Sequence, residues 1–505
     1  MSHFLSYSQL QDNLYSANTV RKIDQLAIAE LNNNALKLMN RAGIAAFDEL
    51  VETFGQPSLI TVFCGSGNNA GDGYILAARA AMKRIPVQVV ELSGTKKFSD
   101  ETLGARQYAI DNNAQLIDFD ANLEICQGVI VDSLLGIGYK GQLRKPYDQA
   151  IALINSAELP VLSMDIPSGL NGDTGAVEDS AVSADLTVTF VAAKPGLFTG
   201  KGPALCGEVI YHSLDISESL FEQFQPSAKL LDLYELLELM PQLVGDEYKN
   251  QRGHCMVIGG DHGFGGAASL AAEASLRIGS GLTSVATQPQ HVSNILARCP
   301  EIMASGVISG QQLEPWLDKP SVLVVGPGLG RSAWSEQLLQ KAVATGLPMV
   351  LDADALNIVA EGRVVKTTEH SWVLTPHPGE AARLLGISVA EVEADRYQAA
   401  KSIQEKYNAV VVLKGPGTLI ASANQITKVC PYGNPGMATA GMGDLLSGII
   451  GGLIAQGLTL QDAAELGCCL HSAAADKLVD DAGYRGIAAT DLLPYVHRIL
   501  NQGCQ

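Results

Sequence analysis

The sequence predicts an α/β protein built from two successive domains. Three observations carry this. The chain has 505 residues, too many for one ordinary domain. Short apolar runs recur along it, most followed by Gly, Asn or Asp and then by a helix-like stretch. That rhythm loosens around residues 213–250 and then resumes. Alternating strand, turn and helix signals parallel strands joined by crossover helices. Ligands in such sheets sit at the carboxyl ends of strands, so the residues just after each apolar run are the candidates for chemistry.

Composition narrows the function. Apolar residues make up 47% of the chain and supply ample core, whereas only 17% are charged. A net charge of −19, with no Lys/Arg cluster interleaved with aromatics, excludes wholesale nucleic-acid binding. Any nucleotide must be held locally, by backbone amides and a few lysines. The nine cysteines include no C-x-x-C pair, and Cys468 and Cys469 are adjacent. Reduced thiols in a cytosolic enzyme are expected, with Cys64, Cys126, Cys255 and Cys299 read as lying in apolar runs. The start Met1-Ser2-His3-Phe4 lacks a basic region followed by a long apolar core, so no signal peptide is expected. The Gly-rich stretch 443–457 is too short or too polar to cross a bilayer. The expectation is a soluble cytoplasmic protein with no membrane partner.

The first half opens with a helical pattern at Val20, Ile23, Ala27 and Leu31, for which Asn18 or Thr19 is the expected cap. Strands are expected at 59–64, 87–92, 128–131, 161–164 and 186–190. Gly65-Ser66-Gly67-Asn68-Asn69-Ala70-Gly71-Asp72-Gly73 follows the first of these. It does not match G-x-G-x-x-G cleanly. Its side-chain amides suit a bound ligand or a cation, and a tight strand–helix turn is the alternative. Asp132 stands at another strand end, before a loop running through Gly136 and Gly138 to Lys140. Asp165-Ile166-Pro167-Ser168-Gly169 stands at a third. A lone Asp there is commonly a cap or turn former, but three polar strand ends converging on one sheet point to a site.

These motifs, with Lys194-Pro195-Gly196, are similar to the NAD(P)HX epimerase domain, a Rossmann-like three-layer α/β/α fold, over residues 1–224. The resemblance implies that Asn69, Asp132 and Ser168 help hold a potassium ion, for which hard oxygen ligands are suited. It implies contacts to the hydrated nicotinamide dinucleotide from Asn68, Asn69, Ala70, Gly71 and Asp72, and from Gly136, Ile137, Gly138, Tyr139, Lys140, Gly141 and Gln142. Asp165 would bind the same ligand and serve as acid/base at the epimerised carbon, where a neutral, partly buried carboxyl can protonate the leaving hydroxyl.

The second half begins near residue 225 with a short acidic helix at 230–240 and a connection at 241–250. Strands are expected at 255–258, 283–286, 322–325, 349–351, 372–374 and 410–413. The halves share a rhythm but no repeated sequence, so no duplication is inferred. Gly-rich exits at Gly259–Ala268 and Gly326–Gly330 let backbone approach a ligand. In Thr375-Pro376-His377-Pro378-Gly379-Glu380 the histidine is locked between prolines, either as a ligand contact or as a structural residue. Lys414-Gly415-Pro416-Gly417-Thr418 offers a mobile positive charge and approachable amides for phosphates, though not in Walker order. Asn434-Pro435-Gly436-Met437-Ala438-Thr439-Ala440-Gly441-Met442-Gly443-Asp444 runs into the apolar stretch 445–454. Free N–H groups at a helix start form an anion cradle. The acid there can take a proton from a hydroxyl about to receive a phosphoryl group.

This second set resembles the ribokinase-like fold and, within it, the ADP-dependent NAD(P)HX dehydratase, over residues 225–505. The resemblance implies hydrate contacts from Ala267, Gly328, His377 and Asp444. It implies ADP contacts from Lys414, Gly415, Pro416, Gly417, Thr418 and Gly443, with a magnesium ion at the phosphates. Both resemblances in one chain imply a bifunctional repair enzyme that is a homo-oligomer. One half would interconvert the R and S hydrates of NADH and NADPH. The other would dehydrate the S form at the expense of ADP, giving AMP and phosphate, with Asp444 as base. A ribokinase-like small-molecule kinase fused to a Rossmann-like binding domain is the alternative. A scaffold, as in related messenger-RNA decapping factors, predicts loss of polar strand-end residues, yet Asn69, Asp132, Asp165 and Ser168 are all present.

Overall fold

A computed structural model describes residues 12–92, 98–139, 141–242, 249–364 and 371–502. The chain divides between Ala228 and Lys229 into two units. In the first, β1 (Ile60–Cys64), β2 (Val87–Glu91), β3 (Gln115–Asp118), β4 (Val129–Ser133), β5 (Val161–Met164), β6 (Leu186–Phe190) and β7 (Glu208–His212) form a sheet in the order β3-β2-β1-β4-β5-β6-β7. All of its pairings are parallel. The chain steps outward from β1 to β3, then returns to the other side of β1, so the connections part between β1 and β4, with Cys64 opposite Ser133. A crevice opens at such a switch point. Successive residues of β1 face opposite ways, as the pleat requires. Val62 and Cys64 pack with the helices Ala35–Phe54 and Asn68–Met82, whereas Phe63 packs with Ile151 and Ile154 of the helix Tyr147–Ser156. Helices therefore cover both faces, giving three layers. Ser16, not Asn18 or Thr19, caps the helix Ala17–Glu30: its hydroxyl accepts from Thr19 N at 3.2 Å.

In the second unit, β8 (Ala228–Leu230), β9 (His254–Ile258), β10 (Leu282–Thr287), β11 (Met303–Gly306), β12 (Val322–Val325), β13 (Met349–Leu351), β14 (Trp372–Leu374), β15 (Val410–Leu413), β16 (Thr418–Ala421) and β17 (Lys428–Cys430) run β8-β17-β16-β15-β14-β13-β12-β9-β10-β11. The strands from β15 through β11 are parallel, and β16 returns antiparallel to both its neighbours. Here the switch lies between β9 and β12. Val257, Val324, Val350 and Val373 stand side by side on one face. They pack into a core with the helices Met442–Ala455 and Leu460–Ala482. Small residues bring Met442–Ala455 close to Gly265–Arg277: a Cβ on Gly448 would lie 2.0 Å from Ala271 O. The expected acidic helix is a single turn, Leu233–Leu237, capped by Asp232.

The eight described cysteines are free thiols, and Cys126 is exposed rather than held in an apolar run. Among the described residues no helix is long and apolar enough to cross a membrane.

Candidate active sites

A cavity of about 480 Å³ opens in the first unit at its switch point. Asn68, Asn69, Asp72, Gly136, Ile137, Gly138, Tyr139 and Asp165 line it. Ala70 and Gly71 sit buried in the helix Asn68–Met82 behind this wall, and Gly141 and Gln142 continue the loop beyond it. Lys140 lies outside the described residues. The helix starts at Gly67 without a side-chain cap, so its first N–H groups remain available to an anion.

Asp132 is fully buried and accepts four hydrogen bonds: Ser168 Oγ at 2.6 Å, Ser168 N at 2.8 Å, Ser163 Oγ at 2.9 Å and Leu134 N at 3.2 Å. Burial pushes its carboxyl above the ordinary range against the pull of these donors. Four donors use most of a carboxylate's acceptor capacity, so Asp132 locks the Ser168 turn to β4. Asn69 Nδ2 donates to Leu135 O at 3.1 Å, while its buried Oδ1 has no donor. An orphaned oxygen beside Ser168 Oγ, the Leu135 carbonyl and a buried negative charge fits a hard monovalent cation, so these residues suit potassium.

Asp165 occupies a left-handed backbone conformation, φ 71°, in the turn after β5. Its Oδ1 accepts from Lys194 Nζ and from Phe190 N at 3.3 Å. Lys194 is wholly buried and also donates to Thr189 Oγ1 and Phe190 O, each at 2.9 Å. Lys194 thus fixes the Asp165 carboxyl at the cavity wall. Three further carboxyls, Asp24, Asp72 and Glu101, share the cavity. Burial, and then the Asp165 charge, raise Asp72 well above the ordinary range and Asp24 to about 6. Lys194 and Asp24 were not legible as site residues. The signal for Lys194 was there, because a lysine after the apolar Val191-Ala192-Ala193 needs a buried carboxylate partner.

In the second unit, the carboxyl ends of adjacent parallel strands converge. Asp352 after β13 is buried and accepts from Lys414 Nζ at 2.7 Å, Thr375 Oγ1 at 2.8 Å and Ser447 Oγ at 2.6 Å. Burial works against its charge, but Lys414 and these donors hold its carboxyl below the usual range. Lys414 likewise stays charged despite burial, because Asp352 and Glu380 face it, the latter at 4.0 Å. Asp444 lies in the first turn of Met442–Ala455, after Gly441 at φ 90°. Burial, then Asp352, pushes it up to about 7 against the pull of Lys414. A Cβ on Gly443 would stand 3.2 Å from Lys414 Nζ, so that position keeps the ammonium's approach open. Asp476 anchors the preceding loop through Gly433 N at 2.9 Å and Asn434 Nδ2 at 2.8 Å.

His377 proves to be both a cap and a site neighbour. Its Nδ1 accepts from Gly379 N at 2.9 Å and Glu380 N at 3.4 Å, and Glu380 returns a bond to His377 N at 2.8 Å. Burial and then Lys414 lower its pKa. Both effects favour the neutral ring, and with Nδ1 accepting, its proton sits on Nε2, which lies 3.4 Å from Glu380 Oε1. Gly328, at φ 58°, lies against Ala267: a Cβ there would be 3.1 Å from that of Ala267. Lys414, Gly415, Pro416 and Gly417 form the turn out of β15, and Thr418 opens β16. Arg396, which no motif signalled, is wholly buried behind this turn and donates to Leu413 O at 3.3 Å and Lys414 O at 3.1 Å. Among the described residues no group of three or more His, Cys, Asp or Glu forms a metal cage. Magnesium arriving on nucleotide phosphates needs only one or two protein carboxylates, and Glu380, facing Lys414 beside its partner Asp352, is one that fits.

Two parallel α/β units, each with polar groups gathered at strand ends, and an acid opposite a lysine at a glycine-rich helix start, define a two-site enzyme whose second site suits phosphoryl transfer. Residues 35–196 match the family described as YjeF-related protein N-terminus, and residues 255–498 the family described as NAD(P)H-hydrate dehydratase. The chain is 46% identical over 488 residues to the bifunctional NAD(P)H-hydrate repair enzyme Nnr of Coxiella burnetii, covering 97% of this chain and 99% of that relative. It is 38% identical over 488 residues to the protein of the same name from Escherichia coli, covering 97% and 94%. Among solved structures, a ribokinase-like superfamily protein from Enterococcus faecalis aligns with TM-score 0.51 and 29% identity, over 55% of this chain and 98% of that one. The ADP/ATP-dependent NAD(P)H-hydrate dehydratase of Bacillus subtilis, co-crystallized with ATP/Mg2+, aligns with TM-score 0.50 and 26% identity, over 54% and 97%. The chain belongs to the bifunctional NAD(P)H-hydrate repair enzymes. It is an NAD(P)H-hydrate epimerase and dehydratase in one polypeptide, with a ribokinase-like second unit.

Proposed function

We propose that the cavity bounded by Asn68, Asp72, Gly136 and Asp165 is where the R and S hydrates of NADH and NADPH interconvert, and that the strand ends around Asp444 and Lys414 are where the S hydrate is dehydrated with ADP. One observation carries the second assignment: Asp444, raised to about 7, faces Lys414 at a helix start rich in glycine. A carboxyl poised near neutrality can take the hydrate's hydroxyl proton as the oxygen attacks the terminal phosphoryl group. Lys414 and the amides of Gly415, Gly417 and Gly443 offset the phosphoryl charge. Glu380 would help hold a magnesium ion brought by the phosphates, which would supply further charge neutralisation when bound. Phosphate leaves far more readily than hydroxide, so elimination restores the dihydronicotinamide. His377 Nε2, Ala267 and Gly328 border the hydrate.

In the first unit, potassium at Asn69 Oδ1 and Ser168, backed by Asp132, supplies positive charge when bound. The protein acts in the cytoplasm as a homo-oligomer. The test is a spectroscopic repair assay with hydrated NADPH and either ADP or ATP. Dihydronicotinamide absorbance returns together with free phosphate and, with ADP, AMP. A stable phosphoester without that absorbance would instead make the second unit an ordinary kinase. Faster repair with ATP than with ADP would overturn the choice of donor.

A further inference from the structure

Four carboxyls line the first unit's cavity: Asp24 from the helix Ala17–Glu30, Asp72 from Asn68–Met82, Glu101 from the first turn of Asp100–Asp111, and Asp165 from the turn after β5. Only Asp165 is engaged, by Lys194 Nζ, Phe190 N and the Thr189 hydroxyl at 3.4 Å. Neither Asp24 nor Asp72 has a hydrogen-bond or ion-pair partner among the described residues. Nothing in the fold uses them. The same cavity is lined by Asn69, only 7% exposed, whose Oδ1, assigned above to potassium, has no donor within the protein.

The hydrate's own chemistry says what such acids are for. Of the two ring double bonds in a dihydronicotinamide, the one outside conjugation with the carboxamide takes up water, and the hydroxyl lands on the carbon beside the ring nitrogen. Inverting that carbon requires its C–O bond to break and re-form on the other face. The departing hydroxyl must gain a proton and the incoming water must lose one. The departing hydroxyl and the incoming water lie on opposite faces of the ring, so a carboxyl on one face cannot reach both, and two groups with opposite protonation states are needed.

We propose that Asp24 is the proton donor to the departing hydroxyl, acting with Asp165 as acceptor of the incoming water's proton. This rests on the cavity being the epimerase site. As the C–O bond breaks, its electron pair leaves with oxygen, which takes the proton of Asp24 and departs as water. The ring-nitrogen lone pair becomes the π bond of an iminium. Water then adds to the opposite face, the π pair returns to nitrogen, and the water's proton passes to Asp165. The reverse epimerisation runs with the two roles exchanged. Asp165 suits the acceptor role because Lys194 already donates to it. Burial, then the Asp165 charge, raise Asp24 to about 6 against the pull of Lys194, so it can both hold and regain a proton near neutrality. Asp72 instead lies in the first turns of the helix Asn68–Met82, within the motif Asn68–Asp72 expected to hold the dinucleotide itself. The other charged groups on the cavity wall are Glu101 and Arg21, whose Nη2 donates to Ile137 O at 3.0 Å.

The experiment measures R-to-S exchange against pH in the full-length protein with potassium present, for wild type, Asp24→Asn, Asp24→Glu and Asp165→Asn. Wild-type kcat/KM falls as pH rises above about 6, because the donor loses its proton. Asp24→Asn lowers kcat on the order of 100-fold and abolishes that falling limb, while Asp24→Glu restores the limb and much of the rate. Near-UV circular dichroism and the Glu variant separate lost chemistry from lost fold. Wild-type exchange in Asp24→Asn overturns the proposal, as does a slowed variant, or an inactive Glu variant, that leaves the limb where it was or fails to restore it. If Asp165→Asn also exchanges at the wild-type rate, the cavity is not the epimerase site at all. If only Asp165→Asn is dead, the site stands and the donor is another group.

Discussion

At the scale of single residues, Asp444 shows how function and stability oppose each other. Its carboxyl is raised to about 7 by burial and then by Asp352, with Asp354 and Glu380 adding to the effect. In the unfolded chain the same group ionises near the ordinary 3.8. The contribution to stability is therefore intact below about pH 4 and is lost as pH rises through about 7, where the folded protein must finally ionise it. Asp444→Asn removes that penalty. The variant should unfold at higher temperature than wild type at pH 8 and at about the same temperature at pH 4, a gain on the order of 2 kcal/mol after allowance for partial exposure. Its dehydratase activity should vanish. Wild-type dehydration should rise about tenfold per pH unit below 7 and level off above it, since only the ionised form accepts the hydroxyl proton. Calorimetry at the two pH values and a pH–rate profile on the S hydrate check both halves of this prediction. Equal melting temperatures at pH 8 would mean that Asp444 ionises freely.

At the scale of elements, the turn from Lys414 to Thr418 owes its shape to a residue outside it. Gly415 is at φ 139°, and a Cβ there would lie 2.9 Å from Arg396 Nη2. Arg396 also pairs with the half-exposed Glu393 at 3.0 Å. Arg396→Met strips two buried carbonyls of a charged donor, which costs about 2–4 kcal/mol. The milder Arg396→Lys should keep the fold but supply a less directional donor. It should raise KM for ADP about tenfold with kcat changed far less, because the turn that cradles phosphate is loosened while Asp444 is untouched. Steady-state kinetics decide this, and an unchanged KM would reduce Arg396 to a core residue. Such bracing is invisible along the chain, since Arg396 and Lys414 belong to different elements. What was legible follows the same logic. Interior strands such as β5, β6, β12 and β15 are apolar runs bounded by turn residues and stand where the pattern puts them. The edge strands β3, β7 and β11 and the hairpin strands β16 and β17 were missed. Gln115 and Glu208 are exposed, and a short half-solvated strand has little apolar signal. Among site residues, those in glycine-rich exits could be read, whereas Asp24 sits in a helix whose periodicity only marks Ile23 and Ala27 as core.

At the scale of the whole molecule, the two proposed sites draw on separate sets of residues. The first site takes its groups from Asp24 to Lys194 and the second from Ala267 to Ser447, each from within one compact unit with its own sheet. Their chemistries also share no step: one breaks and remakes a C–O bond at a stereocentre, the other makes and discards a phosphoester. Substitutions should therefore separate them cleanly. Asp444→Ala should abolish nucleotide-dependent dehydration and leave R-to-S exchange at the wild-type rate. Asp165→Ala should dehydrate the S hydrate normally but consume the R hydrate no faster than it converts spontaneously. Following both epimers by chromatography, with ADP present, resolves the rates in one experiment. An equimolar mixture of the two variants should then repair the R hydrate well above that spontaneous limit, because each supplies the step the other lacks and the S hydrate is a stable, diffusible product. Loss of both activities in Asp444→Ala would mean that the second unit's site supports the first. Full consumption of R by Asp165→Ala would remove Asp165 from the epimerase. A mixture no better than Asp165→Ala alone would mean that the S hydrate reaches Asp444 only within one and the same molecule.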